Sequence, residues 1–178
     1  MFDICFKNND KKISLKLYTD LLNQYLIAQQ KLKLSENRVN FLTERIKSNV
    51  IASTYYVEEE LYAIYIKYNY LLSNNISAEI DTICIDRNIL VCNSSIKIYN
   101  NNIFIQSIDT VDGEERNGHA SKQISIIKNI AKSFERSCIK GEIWEASPIG
   151  IENLIKFYQY NDFNIDKDNL TFDYQIKI

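Results

Sequence analysis

Glycine, proline and histidine are scarce in this sequence, which has four Gly, one Pro and one His among 178 residues. With one His and no pair of cysteines separated by two residues, the usual ligand sets of a zinc site are missing. We therefore predict no metal. No apolar run approaches the roughly 20 residues that cross a membrane, so we predict no membrane partner. Because glycine takes a positive φ without steric cost, each of its few glycines marks an informative backbone position.

Neither sign of charge dominates, because 21 Lys and Arg face 23 Asp and Glu, for a net charge of −2. The strongly basic surface that binds nucleic acid is missing, and we predict no nucleic-acid partner. A weakly acidic surface is compatible with a cationic or amine-bearing partner.

Cysteine is also modest in number, with Cys5, Cys84, Cys92 and Cys138. Since we find no secretory start, we predict four reduced thiols in a cytoplasmic protein. Cys84 and Cys92 could pair in an oxidising compartment, but their spacing does not require it.

The length suits one domain with one core, and we predict a single domain over residues 1–178. Its first part, 1–75, is predicted to be mainly helical. A strand is expected over Phe2–Phe6, followed by one helix capped by Ser14 and a second capped by Ser35. Residues 54–72 fit both a helical period and a hairpin rich in Tyr and Ile, and we interpret them as helix.

The second part, 80–178, has short alternating apolar segments typical of strands. The expected order is an antiparallel meander, a helix, a strand, a second helix and a closing hairpin. The meander strands are expected at 80–85, 89–92, 96–99 and 103–111. The first helix is Ala120–Cys138, ended by Gly141, and the next strand is Glu142–Ala146. Pro148 opens the second helix, and the closing hairpin consists of 163–165 and 170–178. Trp144 is expected in the core, with a cleft wall as the alternative. This order predicts an α+β fold, with helices flanking a mostly antiparallel central sheet.

One loop carries the chemistry, between the strand that ends at Val111 and the helix that follows. It reads Asp-Gly-Glu-Glu-Arg-Asn-Gly-His-Ala-Ser over 112–121. A helix N-terminus exposes unpaired N–H groups that favour anions, and Gly118 and Ala120 would let a phosphate approach them. Arg116 and Ser121 would add a charge and a hydroxyl. The alternative is a loop without a ligand, because Glu114 and Glu115 place negative charge there.

The segment Glu115–Ala120 resembles the cofactor loop Q/R-x-x-G-x-G/A of the GCN5-related N-acetyltransferase family, with matches at Gly118 and Ala120. It departs at Glu115, where the family has Gln or Arg, although Arg116 follows one position later. Downstream, Phe157–Phe163 resembles the family's L-Y-x-K-x-G-F stretch. The resemblance covers about residues 80–178.

The resemblance implies that acetyl-CoA lies between the strands Ile103–Val111 and Glu142–Ala146. Backbone groups of Thr110 and Val111 would hold the pantetheine arm. The full set of cofactor-binding residues is expected to be Thr110, Val111, Arg116, Asn117, Gly118, His119, Ala120, Ser121 and Asn153. The side chain of His119 is expected to point outward.

The same resemblance implies two catalytic residues. Tyr158 would protonate the departing thiolate, because an ordinary phenol is protonated at neutral pH. Asp109 would take a proton from the incoming ammonium, directly or through water. The acceptor would be a primary amine of a small molecule, a protein or a peptide.

Three functions stay open from the sequence. The first is an active N-acetyltransferase. The second is a catalytically inactive acyl-CoA-binding or protein-interaction module on the same fold, suggested by Glu115. The third is a helical interaction protein whose Tyr-rich residues 1–75 form a homodimer or partner surface.

Overall fold

The computed structural model describes residues 3–46, 50–70 and 76–176, with side chains over 19–45, 50–69 and 76–176. It divides into two compact units, Met1–Glu44 and Arg45–Ile178. A single domain over the whole chain stays a prediction. Among the described residues, no helix combines the length and the apolar character needed to cross a membrane.

The first unit contains most of helix α1, which runs without interruption over Asp3–Ile46. The predicted strand is therefore wrong at residues 3–6, and the two predicted helices are one. No Gly or Pro occurs between residues 3 and 46, so nothing in the sequence breaks the helix. Phe2 and the side chains of Cys5 and Ser14 lie outside the described residues.

The second unit is built on one sheet of eight strands in the order β1-β2-β3-β4-β5-β6-β8-β7. The strands are β1 Val50–Val57, β2 Glu60–Tyr70, β3 Ile76–Cys84, β4 Ile89–Tyr99, β5 Asn102–Thr110, β6 Cys138–Glu142, β7 Asn164–Asp166 and β8 Thr171–Gln175. Every neighbouring pair is antiparallel except β5 and β6, which run parallel. Helix α2, His119–Ser133, connects these two strands, and α3, Ile151–Tyr160, follows β6. The predicted α+β class and the mostly antiparallel sheet are confirmed.

The helix predicted over 54–72 is wrong, because this region forms the β1–β2 hairpin. Tyr and Ile side chains pair across its strands, which favours the pleated conformation over the helical one. Glu58, at φ 53, lies in the connecting turn. Residues 71 and 72 lie outside the described residues. The segments 89–92 and 96–99, predicted separately, belong to the single strand β4.

The strand predicted at Glu142–Ala146 lies earlier, at β6, and the helix predicted to reach Cys138 ends at Ser133. Gly141 is therefore a strand residue, and it pairs with Ile105 on β5 and Phe172 on β8. Trp144 is 66% exposed, so its predicted place in the core is wrong.

Helix α3 begins after Gly150 rather than at Pro148, and Asn161 ends it as expected. The closing hairpin of β7 and β8 is confirmed over its described residues. Residues 177 and 178 lie outside them. Cys84, Cys92 and Cys138 are buried free thiols.

The core lies largely between α2 and the sheet, and one buried amide fixes how the helix sits. Gln123 is fully buried, and its Nε2, which has two hydrogens to donate, lies 3.0 Å from Ile80 O, 2.9 Å from Thr82 Oγ1 and 3.0 Å from Cys92 O. Its Oε1 accepts from the Ser94 hydroxyl. Because a buried polar group without partners is costly, these bonds favour one placement of α2 on β3 and β4.

We expect Gly141→Ala to destabilise the protein by about 1–3 kcal/mol through overpacking. A Cβ at this position would lie 2.2 Å from Phe172 Cζ, and the Phe172 ring is held by Tyr158, 3.8 Å away between ring centroids. Denaturant unfolding measures the loss. The double variant with Phe172→Leu should lose less than the sum of the two single losses. A strictly additive result would contradict this packing.

Candidate functional site

β5 and β6 stop pairing before β5 ends, and we call the unpaired stretch of the sheet beside β5 the gap. The parallel ladder covers only Asn102–Ile105 against Cys138–Gly141, whereas β5 continues to Thr110. The end of the ladder coincides with a bulge, because Ile105 pairs with β4 and so does Ser107, which leaves Gln106 as the extra residue. A bulge bends its strand and increases its twist. The second half of β5 thus borders a gap on its β6 side.

The backbone at the end of β5 presents unpaired groups to this gap. Val111 donates its N–H to Val91 O at 3.0 Å, and its carbonyl accepts from Glu114 N at 3.0 Å. Because hydrogen bonding alternates along an antiparallel strand, the N–H and C=O of Thr110 point away from β4. Of the two residues predicted to hold pantetheine, Thr110 therefore faces the gap, and the backbone groups of Val111 are used within the fold.

The N-terminus of α2 follows the end of β5 after an exposed loop. Gly118 is its N-cap, at φ 79, and no side chain caps the helix. A Cβ built on Gly118 would meet nothing within 4 Å, so the space above the first turn is open. The first turn also contains no acidic residue. Unpaired N–H groups, an open approach and a helix dipole are the features of an anion-binding site.

The remaining residues predicted for the loop surround this helix start. Arg116, at φ 66, and Asn117 are exposed, and Ala120 and Ser121 are half-buried. Ser121 Oγ accepts from Asn161 Nδ2 at 3.2 Å, which connects the starting turn of α2 to the end of α3.

Behind the loop lies a group of polar side chains that we call the Glu114 cluster, made of Tyr55, Glu60, Tyr62, Arg87, Glu114 and His119. Arg87 is at its centre. Its Nη1 donates to Glu114 Oε1 at 2.5 Å, and its Nε lies 2.9 Å from Glu60 Oε1. Tyr62 OH accepts from Arg87 Nη2 at 3.0 Å and donates to Glu60 Oε2 at 2.8 Å. The cluster joins the β1–β2 hairpin and the β3–β4 turn to the loop.

His119 faces the interior, so the expectation that it points outward is wrong. The side chain is 1% exposed, with Nδ1 at 2.6 Å from Tyr55 OH and Nε2 at 3.4 Å from Glu114 Oε2. Its ring also packs on Tyr62, with 4.7 Å between centroids. Burial lowers the pKa of His119, which keeps the ring neutral at neutral pH.

Glu114 is 8% exposed, and the hydrogen bond from Arg87 lowers the pKa of its carboxyl group. Its negative charge is therefore paired rather than left facing the loop. Sequence reasoning missed Arg87 and Tyr55 as partners of the loop. Arg87 reads only as a turn residue, and no local pattern connects it to a residue 27 positions away.

The two predicted catalytic residues are brought into electrostatic range of each other. Tyr158 is 6% exposed and stacks on Phe172. Burial first, and then the Asp109 carboxylate, raise the pKa of Tyr158. Asp109 is exposed on β5 near the gap. Asn153 is exposed on α3, and its Nδ2 donates to Ile149 O at 2.7 Å.

No group of three or more potential metal ligands occurs among the side chains that the structure describes. The predicted absence of a metal therefore stays a prediction.

Comparison with solved structures finds acetyltransferases among the matches. Nourseothricin acetyltransferase matches at 9% identity and a TM-score of 0.49, over 73% of this chain and 85% of that one. PaiA N-acetyltransferase from Thermoplasma acidophilum, solved with coenzyme A, matches at 11% and 0.48, over 56% and 61%. The anti-CRISPR protein AcrVA5 matches at 23% and 0.42, over 47% and 90%.

No protein-family model and no curated protein sequence matches the chain. The identities and TM-scores of the structural matches are low. The geometry of the loop and strands of this chain is therefore the evidence that bears on its function.

We expect stability to fall as the pH is lowered from about 7.5 to about 5.5. The unfolded chain takes up a proton on His119 in this range, whereas the folded state, with its lowered histidine pKa, resists protonation. The stabilisation is thus present above the unfolded pKa and is lost below it, by at most about 1.4 kcal/mol per pH unit. Melting temperatures across the range measure the effect.

His119→Gln is the matched control, because His119 is the only histidine in the chain. This variant should be less stable overall but should show a flatter pH dependence. If the melting temperatures of wild type and His119→Gln fall equally steeply with decreasing pH, the assignment of His119 as a neutral, buried histidine is contradicted.

Proposed function

We propose that this chain is an acetyl-CoA-dependent N-acetyltransferase that acts on a primary amine. The observation that carries the proposal is the parting of β5 from β6 at the Gln106 bulge, with the open N-terminus of α2 following the same strand. One ligand that has an extended amide-bearing arm and a diphosphate fits both features. Acetyl-CoA has this form.

In this proposal the loop and the start of α2 hold the diphosphate. The N–H groups that follow Gly118 would donate to it, and the open space over this glycine admits a phosphate without steric conflict. Arg116 and Ser121 would add a charge and a hydroxyl, next to Asn117, His119 and Ala120. The backbone of Thr110 would pair with the pantetheine arm. Val111 and Asn153 stay predicted cofactor-binding residues.

Acetyl-CoA supplies an activated acyl group, and the residues of the chain orient the reaction and move its protons. An unpaired N–H on β5 near Thr110 would stabilise the developing oxyanion. Asp109 would accept a proton from the incoming ammonium, directly or through water, so that the neutral amine can attack the thioester.

Tyr158 would hold the proton that the departing thiolate needs. Its raised pKa keeps the phenol protonated at neutral pH, so the proton is present when the carbon–sulfur bond breaks.

The alternative is an acyl-CoA-binding module without turnover. The observation that favours it is the carboxylate of Glu115, which stands where a Gln or Arg would donate to the ligand and which instead accepts from Gly113 N at 2.7 Å. Acetyl-CoA should raise the melting temperature in either case, since a ligand of the native state stabilises it. Release of free thiol with a panel of amines distinguishes the enzyme from the module, and no stabilisation by excess acetyl-CoA would exclude both.

We expect Gly118→Asp to abolish acetyl-CoA binding. Its carboxylate would occupy the open space over the first turn of α2 and repel the diphosphate. Calorimetric titration measures the affinity. Gly113→Asp is the matched control, because Gly113 also has a positive φ, at 86, and open space around its Cα, but lies at the other end of the loop. Normal binding by Gly118→Asp would show that the loop is wrongly assigned.

We expect Tyr158→Phe to keep acetyl-CoA affinity and to slow turnover by about 100-fold, the usual loss on removing a general acid. The ring that stacks on Phe172 is retained, so the packing should survive. Steady-state thiol release gives kcat. Tyr160→Phe, on a side chain that is 81% exposed, should leave kcat unchanged. An unchanged kcat in Tyr158→Phe would remove Tyr158 from the mechanism.

A further inference from the structure

Glu114 differs from every other residue of the loop. Over residues 111–118 its side chain alone is buried, and the seven others are exposed to solvent. A buried carboxylate is costly unless it is paired and hydrogen-bonded. The position of Glu114 is therefore a constraint on the loop.

The contacts of this carboxylate divide between its two oxygens. Oε1 accepts from Arg87 at 2.5 Å. Oε2 lies 3.4 Å from Asn117 Nδ2 and 3.4 Å from His119 Nε2. One side chain thus connects a fixed guanidinium to the residues on both sides of Gly118.

Arg87 is in turn held from a second direction. Glu60 Oε1 lies 2.9 Å from its Nε, and Tyr62 accepts from its Nη2. A guanidinium fixed by two partners on the β1–β2 hairpin gives the loop a rigid anchor point, since its planar donors have set directions.

We propose that Glu114 is a positioning residue for the diphosphate of acetyl-CoA, acting through Arg87. This inference rests on the proposed function. The carboxylate does not touch the ligand. It sets the backbone on both sides of Gly118, so that the N–H groups of the first turn of α2 point to one place.

A purely electrostatic role of Glu114 and a positioning role predict opposite changes in ligand affinity when its charge is removed. The direction of that change therefore tests the inference. A carboxylate near a diphosphate repels it, so removing the charge of Glu114 would strengthen binding if Glu114 acted only through its field. If Glu114 acts by positioning, removing the charge-assisted bond to Arg87 loosens the loop and weakens binding.

The experiment compares Glu114→Gln with wild type by calorimetric titration of coenzyme A. The affinity for pantetheine, which lacks the diphosphate, is measured by its competition with coenzyme A. We expect Glu114→Gln to bind coenzyme A about tenfold more weakly, the effect of losing one charge-assisted bond, and to bind pantetheine unchanged. Asp112→Asn is the matched control. Its carboxylate is exposed on the same loop, and the affinity of this variant for coenzyme A should stay within about twofold of wild type.

Arg87→Lys keeps the positive charge but loses the directed donors, and it should reproduce the selective loss for coenzyme A. Arg87→Lys also tests the inference if Glu114→Gln does not fold. Coenzyme A affinity in Glu114→Gln that equals or exceeds that of wild type would overturn the inference. An equal loss for coenzyme A and pantetheine would also overturn it, because it indicates a general structural role. If wild type itself does not bind coenzyme A, the proposed function fails first.

Discussion

The geometry of the candidate site depends on one constraint, which is the short parallel ladder between β5 and β6. Four residue pairs join the strands, and the ladder ends next to the bulge at Gln106. An uninterrupted ladder would have used the backbone groups of Thr110 in the sheet. Because it stops, the end of β5 keeps groups available on its open side and leads directly to the loop and α2. The gap thus begins at one strand irregularity, and the start of α2 follows the same strand.

Buried polar groups hold the elements that border this gap. Gln123 fixes α2 on β3 and β4 through bonds that an apolar side chain could not make. Glu114 fixes the preceding loop through Arg87, and His119 adds a bond to Tyr55 on the hairpin. Polar groups in such positions are costly when unpaired, so each of them disfavours alternative placements of the same element. The start of α2 is therefore held from the helix side and from the loop side.

On the β6 side of the gap, aromatic packing rather than hydrogen bonding holds the elements in place. Gly141 leaves room for the ring of Phe172, and Tyr158 stacks on that ring. The phenol of Tyr158 is thereby fixed within the electrostatic range of Asp109, although the two residues lie on different elements and 49 positions apart in the printed sequence. A small residue in β6 thus affects where a candidate general acid lies, through aromatic contacts alone.

The sequence by itself determined the α+β class, the closing hairpin, the glycine loop before α2 and the meander apart from a false break inside β4, because these depend on local periodicity and on glycine conformation. It did not determine the β1–β2 hairpin, whose residues fit two periods and whose strand character comes from cross-strand pairing. Only the tertiary structure decided that Glu114 is buried against Arg87, that His119 faces inward and that Trp144 is exposed. Each of these depends on contacts between residues far apart in the chain. Burial is a property of the neighbours that folding brings together, and no local pattern encodes it.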